Sequence, residues 1–367
     1  MEKITLFLPE VKSEPEGRPA QCPRCGSAIL QGWQRVSKPV RDPFLSEVSA
    51  HRYHCPSCYF TFRYYPPGVS QTRQTERQKV LTVLMWGLGL SLRSVSWILK
   101  LFGISLSKST VWRNVQEMGE EIRRRRRHLS KVMVVDGAGV KVKGRSSGVV
   151  VAVAIPERIP VDIAFIEESN AEQVREWLKP LVEELGVAVA VSDECGGYNW
   201  LSEEEGVEHQ LCRVHLHRRV NKRLEEIEKE AGQKYGEEDE KTKQIKRDGE
   251  RLRALVRALP KGGDSKILWP MWERYKWARA PGEGEESEPG YKIRLLINGI
   301  MEHYRDYRVF KEKLLKGLDG TTNRVEGVIG LYRVREKMAR GFKSEKGLRN
   351  GWLVMSASYW TRRMLAA

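Results

Sequence analysis

The sequence predicts a multidomain α/β protein, and three observations indicate this fold class. Two Cys-x2-Cys pairs lie near the start of the chain, a basic segment with helical apolar spacing follows, and β-branched runs typical of buried strands begin near residue 131. At 367 residues the chain is long enough for two or three domains, each with its own core. We therefore expect two small modules followed by a larger α/β domain.

The net charge of +16 is concentrated in two segments. Residues 73–131 hold 13 Lys and Arg against 4 Glu, a net +9, and residues 308–349 hold 12 against 5 acidic residues, a net +7. Together they account for the whole excess, which favours a polyanionic partner over general solubility. Nucleic acid is the first candidate. An anionic membrane surface is the alternative, but neither segment has the long basic amphipathic face that membrane binding needs.

The sequence also predicts the compartment. It has no run of 18 apolar residues, and its first residues lack the basic region, apolar core and cleavage site of a signal peptide. We therefore expect a soluble intracellular protein without membrane contact.

Four of the six cysteines have the spacing of a zinc site. Cys22 and Cys25 form one pair, 29 residues separate it from the second, and Cys55 and Cys58 form that second pair. Each pair suits a turn that presents two thiolates to one tetrahedral zinc, and the intervening residues alternate like a β-hairpin. We expect a structural zinc ribbon over 20–65; the alternative is a set of unliganded thiols.

The next segment, 70–128, has helical periodicity. "SLRSVSWILKLFG" begins with a serine cap and ends at a glycine, and "ISLSKSTVWRNVQEMGEEI" follows with Ser107 or Ser109 as a further cap. This pattern predicts a helix-turn-helix DNA-binding domain; an ordinary helical hairpin is the alternative. The side chains expected nearest DNA are Lys108, Ser109, Thr110, Arg113 and Asn114.

A run of five arginines ends this segment. They surround a helix completely, so they cannot all form structural ion pairs, and we interpret them as a linker that follows phosphates. A solvated charge run is the alternative. The run comprises Arg123, Arg124, Arg125, Arg126 and Arg127.

The periodicity changes again at residue 131. Three apolar runs predict a strand meander, followed by a helix capped by Asn170, a fourth strand, and an extended segment that passes into a helix. Charged helical and tryptophan-rich sequence then interrupts the α/β pattern. We therefore expect an α/β domain in two parts, 131–221 and 291–355, separated by a helical insertion at 222–290.

Carboxylates at predicted strand ends indicate a metal site. Asp136 is expected to end the first strand and Asp193 the fourth, each before glycines that leave room for a phosphate backbone. If the strands are neighbours, the two carboxylates would repel unless cations lie between them, so we expect Mg²⁺ or Mn²⁺. "TTNRVEGVIGLYR" offers Glu326 as a third ligand, with Arg333 and Lys337 further along the same helix. Such a site suits two-metal phosphoryl transfer.

The order of these features resembles the DDE-type insertion-sequence transposases of the Mutator-like branch. The resemblance rests on "SDECGGY", "CRVH" and "TTNRVEG...KMARGF" and covers about residues 20–355. It implies a ribonuclease H-like catalytic domain with Asp136, Asp193 and Glu326 as its metal-binding triad. Cys212 and His215 match the family's Cys-x2-His element. We interpret this pair as structural or DNA-positioning residues near the active site; the alternative is a second zinc site.

The resemblance implies an enzyme that binds the inverted-repeat ends of a transposon, cleaves them and joins them to target DNA. A homodimer or larger assembly follows, since two ends must meet, and a prokaryotic cytoplasm with nucleoid association is the expected location. The alternatives are a non-catalytic DNA-binding regulator and a ribonuclease H-like nuclease without strand transfer. Tryptophans 269, 272 and 277 suit core packing more than stacking on an unpaired base.

Overall fold

The computed structural model describes residues 8–124, 131–142, 145–156, 159–204, 206–282, 286–313, 315, 318–339 and 342–365, some of them, including Lys337, by backbone alone. The chain forms two compact units. One comprises Met1–Arg124 with Val334–Ala367, and the other comprises Arg125–Arg333. The segment predicted as the second part of the α/β domain, 291–355, therefore spans both units.

The first unit begins with a three-stranded antiparallel sheet. Its strands are β1 (Gln31–Pro39), β2 (Glu47–His54) and β3 (Thr61–Tyr64), in that order. The two cysteine pairs lie in turns before β1 and between β2 and β3, closed by backbone hydrogen bonds such as Gly26 N to Cys22 O at 2.9 Å. A small core lies between the turns and the sheet, formed by Cys22, Leu30, Tyr53 and Cys55.

Three helices follow in the same unit: α1 (Glu76–Gly87), α2 (Leu92–Leu101) and α3 (Lys108–Arg124). The predicted serine caps are confirmed, because Ser91 Oγ accepts from Ser94 N at 3.0 Å and Ser107 Oγ accepts from Thr110 N at 3.1 Å. Gly103, with a φ of +76°, makes the turn between α2 and α3, a conformation that other residues adopt only with strain.

The C-terminal helix α11 (Glu345–Leu365) packs against α3 and α1. The α3 contact is close, since a Cβ placed on Gly119 would lie 2.5 Å from Asn350 Cβ. Asn350 Nδ2 donates to the side chains of Gln116 and Glu120 at 3.1 and 3.2 Å. These polar and steric contacts explain why the end of the chain belongs to the first unit.

The second unit contains a mixed five-stranded sheet, and the prediction of a mixed α/β protein is confirmed. Its strands are β4 (Val132–Val142), β5 (Arg145–Ile155), β6 (Ile159–Ala164), β7 (Val189–Ser192) and β8 (Glu208–Leu211), in the order β6-β5-β4-β7-β8. The strands β4, β5 and β6 are antiparallel, whereas β7 and β8 run parallel to β4. The helix α4 (Ala171–Leu185) covers one face and is capped by Asn170, as predicted.

One boundary differs from the prediction. Strand β4 does not end at Asp136 but continues to Val142, because the long antiparallel partner β5 pairs with it along its whole length. The parallel partner β7 pairs only with Val132–Val134 of β4. Asp136 therefore lies where the sheet loses its parallel neighbour, although its own strand goes on.

A helical layer completes the second unit. It comprises α5 (Arg213–Tyr235), α6 (Glu240–Ala258), α7 (Leu268–Tyr275) and α8 (Pro289–Glu302), followed by the short α9 (Val309–Glu312) and by α10 (Asn323–Ala339), which crosses the unit boundary. Trp272 packs against the core of this layer and stacks on Trp269 at 5.2 Å between ring centroids. Trp269 and Trp277 are exposed. Core packing therefore accounts for Trp272 but not for the other two.

Within the described part of the chain, none of the helices has the length and apolar character needed to cross a membrane.

Candidate metal centre

Three carboxylates of the second unit converge on one point. Asp136, Glu168 and Asp193 each offer an oxygen, and these atoms lie within 4.8 Å of one another. Oxygen ligands about 2.1 Å from a shared Mg²⁺ lie up to about 4.2 Å apart, so small side-chain movements would complete such a site. The chemistry of the donors, three carboxylates without nitrogen or sulfur, fits a hard divalent cation.

The sheet register explains why the two aspartates meet. Val134 of β4 pairs with Val191 of β7, so Asp136 and Asp193, each two residues further on, come side by side. The two strands are neighbours, which is the condition under which the sequence led us to expect repulsion between these carboxylates. Asp193 is held at the strand end because its Oδ1 accepts a hydrogen bond from Cys195 N at 2.9 Å.

Glu168 is the member of the cluster that sequence reasoning missed. It lies in the loop between β6 and α4, two residues before the cap Asn170. Tyr198 Oη donates to its Oε1 at 2.7 Å and fixes the carboxylate direction. The available signal was an acidic pair at the end of the third predicted strand, which is the same kind of position that singled out the two aspartates.

Two glycines leave room for this loop. A Cβ on Gly137 would lie 2.0 Å from Glu168 Oε2, and a Cβ on Gly197 would lie 1.9 Å from the carbonyl oxygen of Glu168. Neither distance is compatible with a side chain in the present arrangement. These glycines therefore serve the close approach of Glu168, in addition to the access of a substrate backbone expected from the sequence.

The electrostatics of the cluster call for a cation. Burial, and then the negative charges of Glu168 and Asp193, raise the pKa of Asp136 to about 7. Burial also raises the pKa of Glu168 above its usual range. Carboxylates that repel one another in a low-dielectric site are neutralised either by a proton or by a bound cation. A divalent cation bound here would relieve the repulsion among the three carboxylates near neutral pH.

Cys212 and His215 lie beside the cluster. The Cys212 thiol is buried and accepts hydrogen bonds from Thr322 N at 3.3 Å and Thr322 Oγ1 at 3.4 Å. Burial opposes ionisation of this thiol, but the hydrogen bonds from His215 and Thr322 outweigh it and lower its pKa. The hydrogen bond to Cys212 raises the pKa of His215 to about 9, helped by Asp136 and Asp193. With a pKa of about 9, His215 carries a positive charge at neutral pH beside the Cys212 sulfur.

This pair does not form a second metal site with a third ligand among the described histidine, cysteine and acidic side chains. It instead joins α5 to the start of α10, since Thr322 Oγ1 lies 3.4 Å from His215 Nδ1. The geometry fits support of the neighbouring acidic cluster by a fixed positive charge.

Glu194, the residue after Asp193, has a separate anchor. Its carboxylate accepts a hydrogen bond from Tyr307 Oη at 2.6 Å and pairs with Arg219 Nε at 2.7 Å. Tyr307 is fully buried. Glu194 is not one of the clustered carboxylates, and its contacts with Tyr307 and Arg219 hold the loop that carries Asp193.

Glu326 lies on the first turn of α10, as expected, but it is not one of the clustered carboxylates. Its Oε1 lies 3.3 Å from Arg218 Nη1, and both side chains are substantially exposed. Its role as a metal ligand stays a prediction. The side chain of Lys337 lies outside the described ones, so its predicted supporting role rests on the sequence alone.

A groove of about 600 Å³ opens beside the cluster. Gly137, Gly139 and Gly148 line this groove and contribute no side chains to it. Arg333 and Glu168 line it as well. Arg333 is exposed there. A polyanionic backbone could enter this groove, meet a positive side chain, and come close to the three carboxylates.

The four N-terminal cysteines form a second candidate metal site. Their Sγ atoms lie within 4.8 Å of one another, with Cys22 to Cys58 and Cys25 to Cys55 each at 3.7 Å. Sulfur ligands about 2.3 Å from a tetrahedral zinc lie about 3.8 Å apart, which matches these distances. The cluster is compatible with the expected zinc ribbon.

The residues predicted to contact DNA occupy the start of α3, except for those in the arginine run. Lys108, Ser109 and Arg113 are exposed and Thr110 is half-buried. Asn114 is buried, and its Nδ2 donates to Gln74 Oε1 at 2.8 Å, so this side chain is engaged within the protein. Of the arginine run, Arg123 and Arg124 end α3, whereas Arg125, Arg126 and Arg127 lie outside the described residues.

Comparison with known families gives one match. Residues 64–244 match the family described as "Transposase, Mutator family". This range contains Asp136, Glu168 and Asp193 as well as the Cys-x2-His element, and it ends before Glu326. Among curated proteins, no sequence matches the chain.

Proposed function

The family match supports a Mutator-like transposase, and from this premise we propose that the protein cleaves DNA at transposon ends and transfers the freed strands by metal-dependent phosphoryl transfer. A transposase of this family binds DNA, which agrees with the two basic segments of the sequence. The proposal concerns the reaction and the residues that carry it.

The observation that carries the proposal is the convergence of Asp136, Glu168 and Asp193 beside a glycine-floored groove. A DNA-binding protein without catalytic activity gains nothing from one buried and two half-buried carboxylates that repel both one another and DNA. The same carboxylates are useful if they hold divalent cations against a phosphate backbone. We therefore favour an enzyme over a regulator.

The residues of the chain divide the work. Asp136, Asp193 and Glu168 would hold the Mg²⁺ or Mn²⁺, and the bound cations would supply activation of the attacking hydroxyl and stabilisation of the leaving oxygen. Tyr198 orients Glu168 by its hydrogen bond. Arg333 would pair with a DNA phosphate in the groove, and the imidazolium of His215 limits the repulsion within the acidic cluster.

The strand order supports a ribonuclease H-like catalytic domain. Three antiparallel strands followed by two parallel ones agree with that proposal. So does the position of two carboxylates just beyond the residues through which β4 pairs with β7. The α2-turn-α3 arrangement supports a helix-turn-helix that contacts DNA through Lys108, Ser109, Thr110 and Arg113, and the four cysteines support a structural zinc ribbon. Because two transposon ends must be joined to one target, we propose a homodimer or larger assembly on DNA.

The test is cleavage, in about 5 mM Mg²⁺, of a labelled duplex that carries the DNA bordering the gene. Wild type should nick the duplex at the element boundary and join the 3′ end to a target plasmid. Asp136→Asn and Asp193→Asn should lose cleavage by at least about 10³-fold while retaining duplex binding, since each removes a charge from the cation site. Cleavage that persists in either variant contradicts the assignment.

The same assay separates the two candidates for the third carboxylate. Glu168→Gln removes the clustered one, and Glu326→Gln removes the one implied by family resemblance. We expect Glu168→Gln to abolish cleavage, because Glu168 shares the cluster in this structure. Full activity of Glu168→Gln together with an inactive Glu326→Gln would reassign the third ligand to Glu326. Cleavage without joining would favour a nuclease over a transposase.

A further inference from the structure

The outer face of the N-terminal sheet has an unusual set of side chains. Strand β1 contains one irregularity in its register, between Gly32 and Gln34, and Trp33 is the extra residue there. A bulge of this kind re-aims a side chain. Trp33 is 62% exposed, although tryptophan has the largest side chain of the amino acids and its burial would stabilise the fold.

Two further rings continue from Trp33. The His54 ring lies edge-on to Trp33, with centroids 6.1 Å apart, and the Tyr59 ring lies 6.2 Å from His54. Tyr59 is 81% exposed and is the single non-glycine residue with positive φ, at +54°, among those the structure describes. Trp33, His54 and Tyr59 therefore form a row of aromatic rings, two of them open to solvent.

The same face is cationic. Arg52 stands over the Trp33 ring at 4.8 Å and lies directly opposite Arg63 on β3. Like charges in directly opposite positions of a sheet are destabilising. Within the described part of the chain neither arginine forms an ion pair with an acidic side chain. The pKa of Lys38 is lowered mainly by burial, and the positive charges of Arg63 and Arg73 lower it further.

Phe44, another exposed aromatic residue of the same unit, contacts an arginine that already has an acidic partner. Phe44 is 72% exposed and lies under the guanidinium of Arg77, at 4.8 Å. Arg77, however, is neutralised by Asp42 at 2.8 Å. The cation at Phe44 therefore already has its counter-charge, whereas Arg52 and Arg63 have no acidic partner among the residues that the structure describes.

From this arrangement we propose that the face formed by Trp33, Arg52, His54, Tyr59 and Arg63 binds unpaired nucleotides of single-stranded DNA. Bases stack on the exposed rings and phosphates pair with the two arginines. A duplex offers phosphates but keeps its base faces inside the stack, so it would leave both rings without a partner. The proposal rests on the proposed function only in taking DNA as the ligand, and it gives the face a substrate that arises when strands are cut or melted.

The test is fluorescence anisotropy of the full-length protein with a fluorescein-labelled 12-nucleotide single strand of mixed sequence, in parallel with the matching duplex. No Mg²⁺ is added, so cleavage does not enter the measurement. Trp33→Ala combined with Tyr59→Ala should weaken single-strand binding at least tenfold and duplex binding less than twofold. Arg52→Gln combined with Arg63→Gln should weaken single-strand binding and make that binding less sensitive to salt.

Controls keep the test decisive. Phe44→Ala removes an equally exposed ring and should leave single-strand affinity unchanged, and Trp33→Phe, which retains a stacking face, should keep most of it. Circular dichroism and zinc content check that each variant is folded. Absence of single-strand binding by wild type, equal losses for single strand and duplex, or an equal loss in Phe44→Ala would each overturn the proposal. Asp136→Asn should bind the single strand normally, so this proposal and the cleavage proposal can fail separately.

Discussion

At the scale of single residues, the candidate site depends on glycines that leave space for the carboxylates as much as on the carboxylates themselves. Gly137 gives Glu168 the space to approach Asp136 and Asp193. Its neighbour Gly139 faces open space, since a Cβ there would meet nothing within 4 Å. The two glycines are close in sequence and in the same strand, yet only one of them is required by the cluster.

This contrast gives a matched pair of variants. Gly137→Ala should weaken Mn²⁺ binding at least tenfold, because the new methyl group displaces the Glu168 carboxylate, which is the mobile end of a side chain. Global stability should change little. Gly139→Ala is the control and should bind Mn²⁺ as wild type does. Titration of both variants by isothermal calorimetry measures the difference, and equal affinities would show that Glu168 is not a ligand.

The raised pKa of Asp136 gives a dependence on pH. Its folded pKa of about 7 exceeds its ordinary value of 3.8, so the contribution of Asp136 to folding stability is fully present below about pH 4 and is lost as pH rises through 7 in metal-free protein. Adding Mg²⁺ should therefore stabilise the protein more at pH 8 than at pH 5, by a few degrees in Tm.

The control for this experiment is Asp136→Asn, whose Tm should respond weakly to Mg²⁺ at either pH. Burial lowers the pKa of His209 to about 4, so protonation of the unfolded state at this residue adds its own pH dependence. That contribution is the same in both proteins and cancels in the comparison. A Mg²⁺ effect that is equal at pH 5 and pH 8, or equal in the two proteins, would contradict a cation site at Asp136.

At the scale of elements, the N-terminal sheet illustrates how little apolar material supports a module. Its core cluster consists of Cys22, Leu30, Tyr53 and Cys55 with partly buried aromatics packed around them. A module of this size depends on cross-links or metal for stability. The sulfur distances are compatible with a zinc site, and we propose that zinc supplies that stability here.

Removal of zinc should therefore unfold this element first. We expect one zinc ion per chain in the purified protein by atomic absorption, and none after Cys55→Ser, since three thiolates hold the metal far more weakly than four. Structural zinc contributes roughly 10 to 16 kcal/mol of apparent binding energy in small modules, so the zinc-free protein should be cut by trypsin within 20–65. Zinc-free protein that resists trypsin there would contradict a structural zinc site. Asp136→Asn should retain its zinc.

Short-range patterns made most elements predictable from the sequence. Ser91, Ser107 and Asn170 were expected to cap helices and do so, because capping is a contact between residues three apart. The end of β4 was not predictable in this way. Its length depends on pairing with β5, and the glycines after Asp136 suggested a turn where the antiparallel partner in fact continues the strand.

At the scale of the whole molecule, long-range contacts determined what the sequence did not reveal. Asp136 and Asp193 were found from their expected positions at strand ends; β4 in fact continues past Asp136, and its pairing with β7 explains the approach of the two side chains. Glu168 was missed because its approach depends on Gly137, Gly197 and Tyr198, which lie 30 or so residues away on other elements. The grouping of the C-terminal helix with the first unit likewise depends on its packing against α3 and on the absence of a side chain at Gly119.

The two compact units suggest a division of labour. The unit containing Met1–Arg124 holds the cysteine cluster and the exposed residues of α3, and the unit containing Arg125–Arg333 holds the clustered carboxylates. If DNA is bound mainly by the first unit and cut by the second, substitutions in the cluster should separate binding from chemistry. Both activities can be followed in one preparation of the complete protein.

The central claim is that Asp136, Glu168 and Asp193 form a divalent-cation site, and its most direct test is Mn²⁺ binding by the complete protein, measured by electron paramagnetic resonance of the free ion. Wild type should bind one or two Mn²⁺ ions per chain with Mg²⁺ as a competitor, and Asp136→Asn combined with Asp193→Asn should bind none at the same concentrations while keeping its zinc. Equal Mn²⁺ binding by wild type and this double variant would contradict the account.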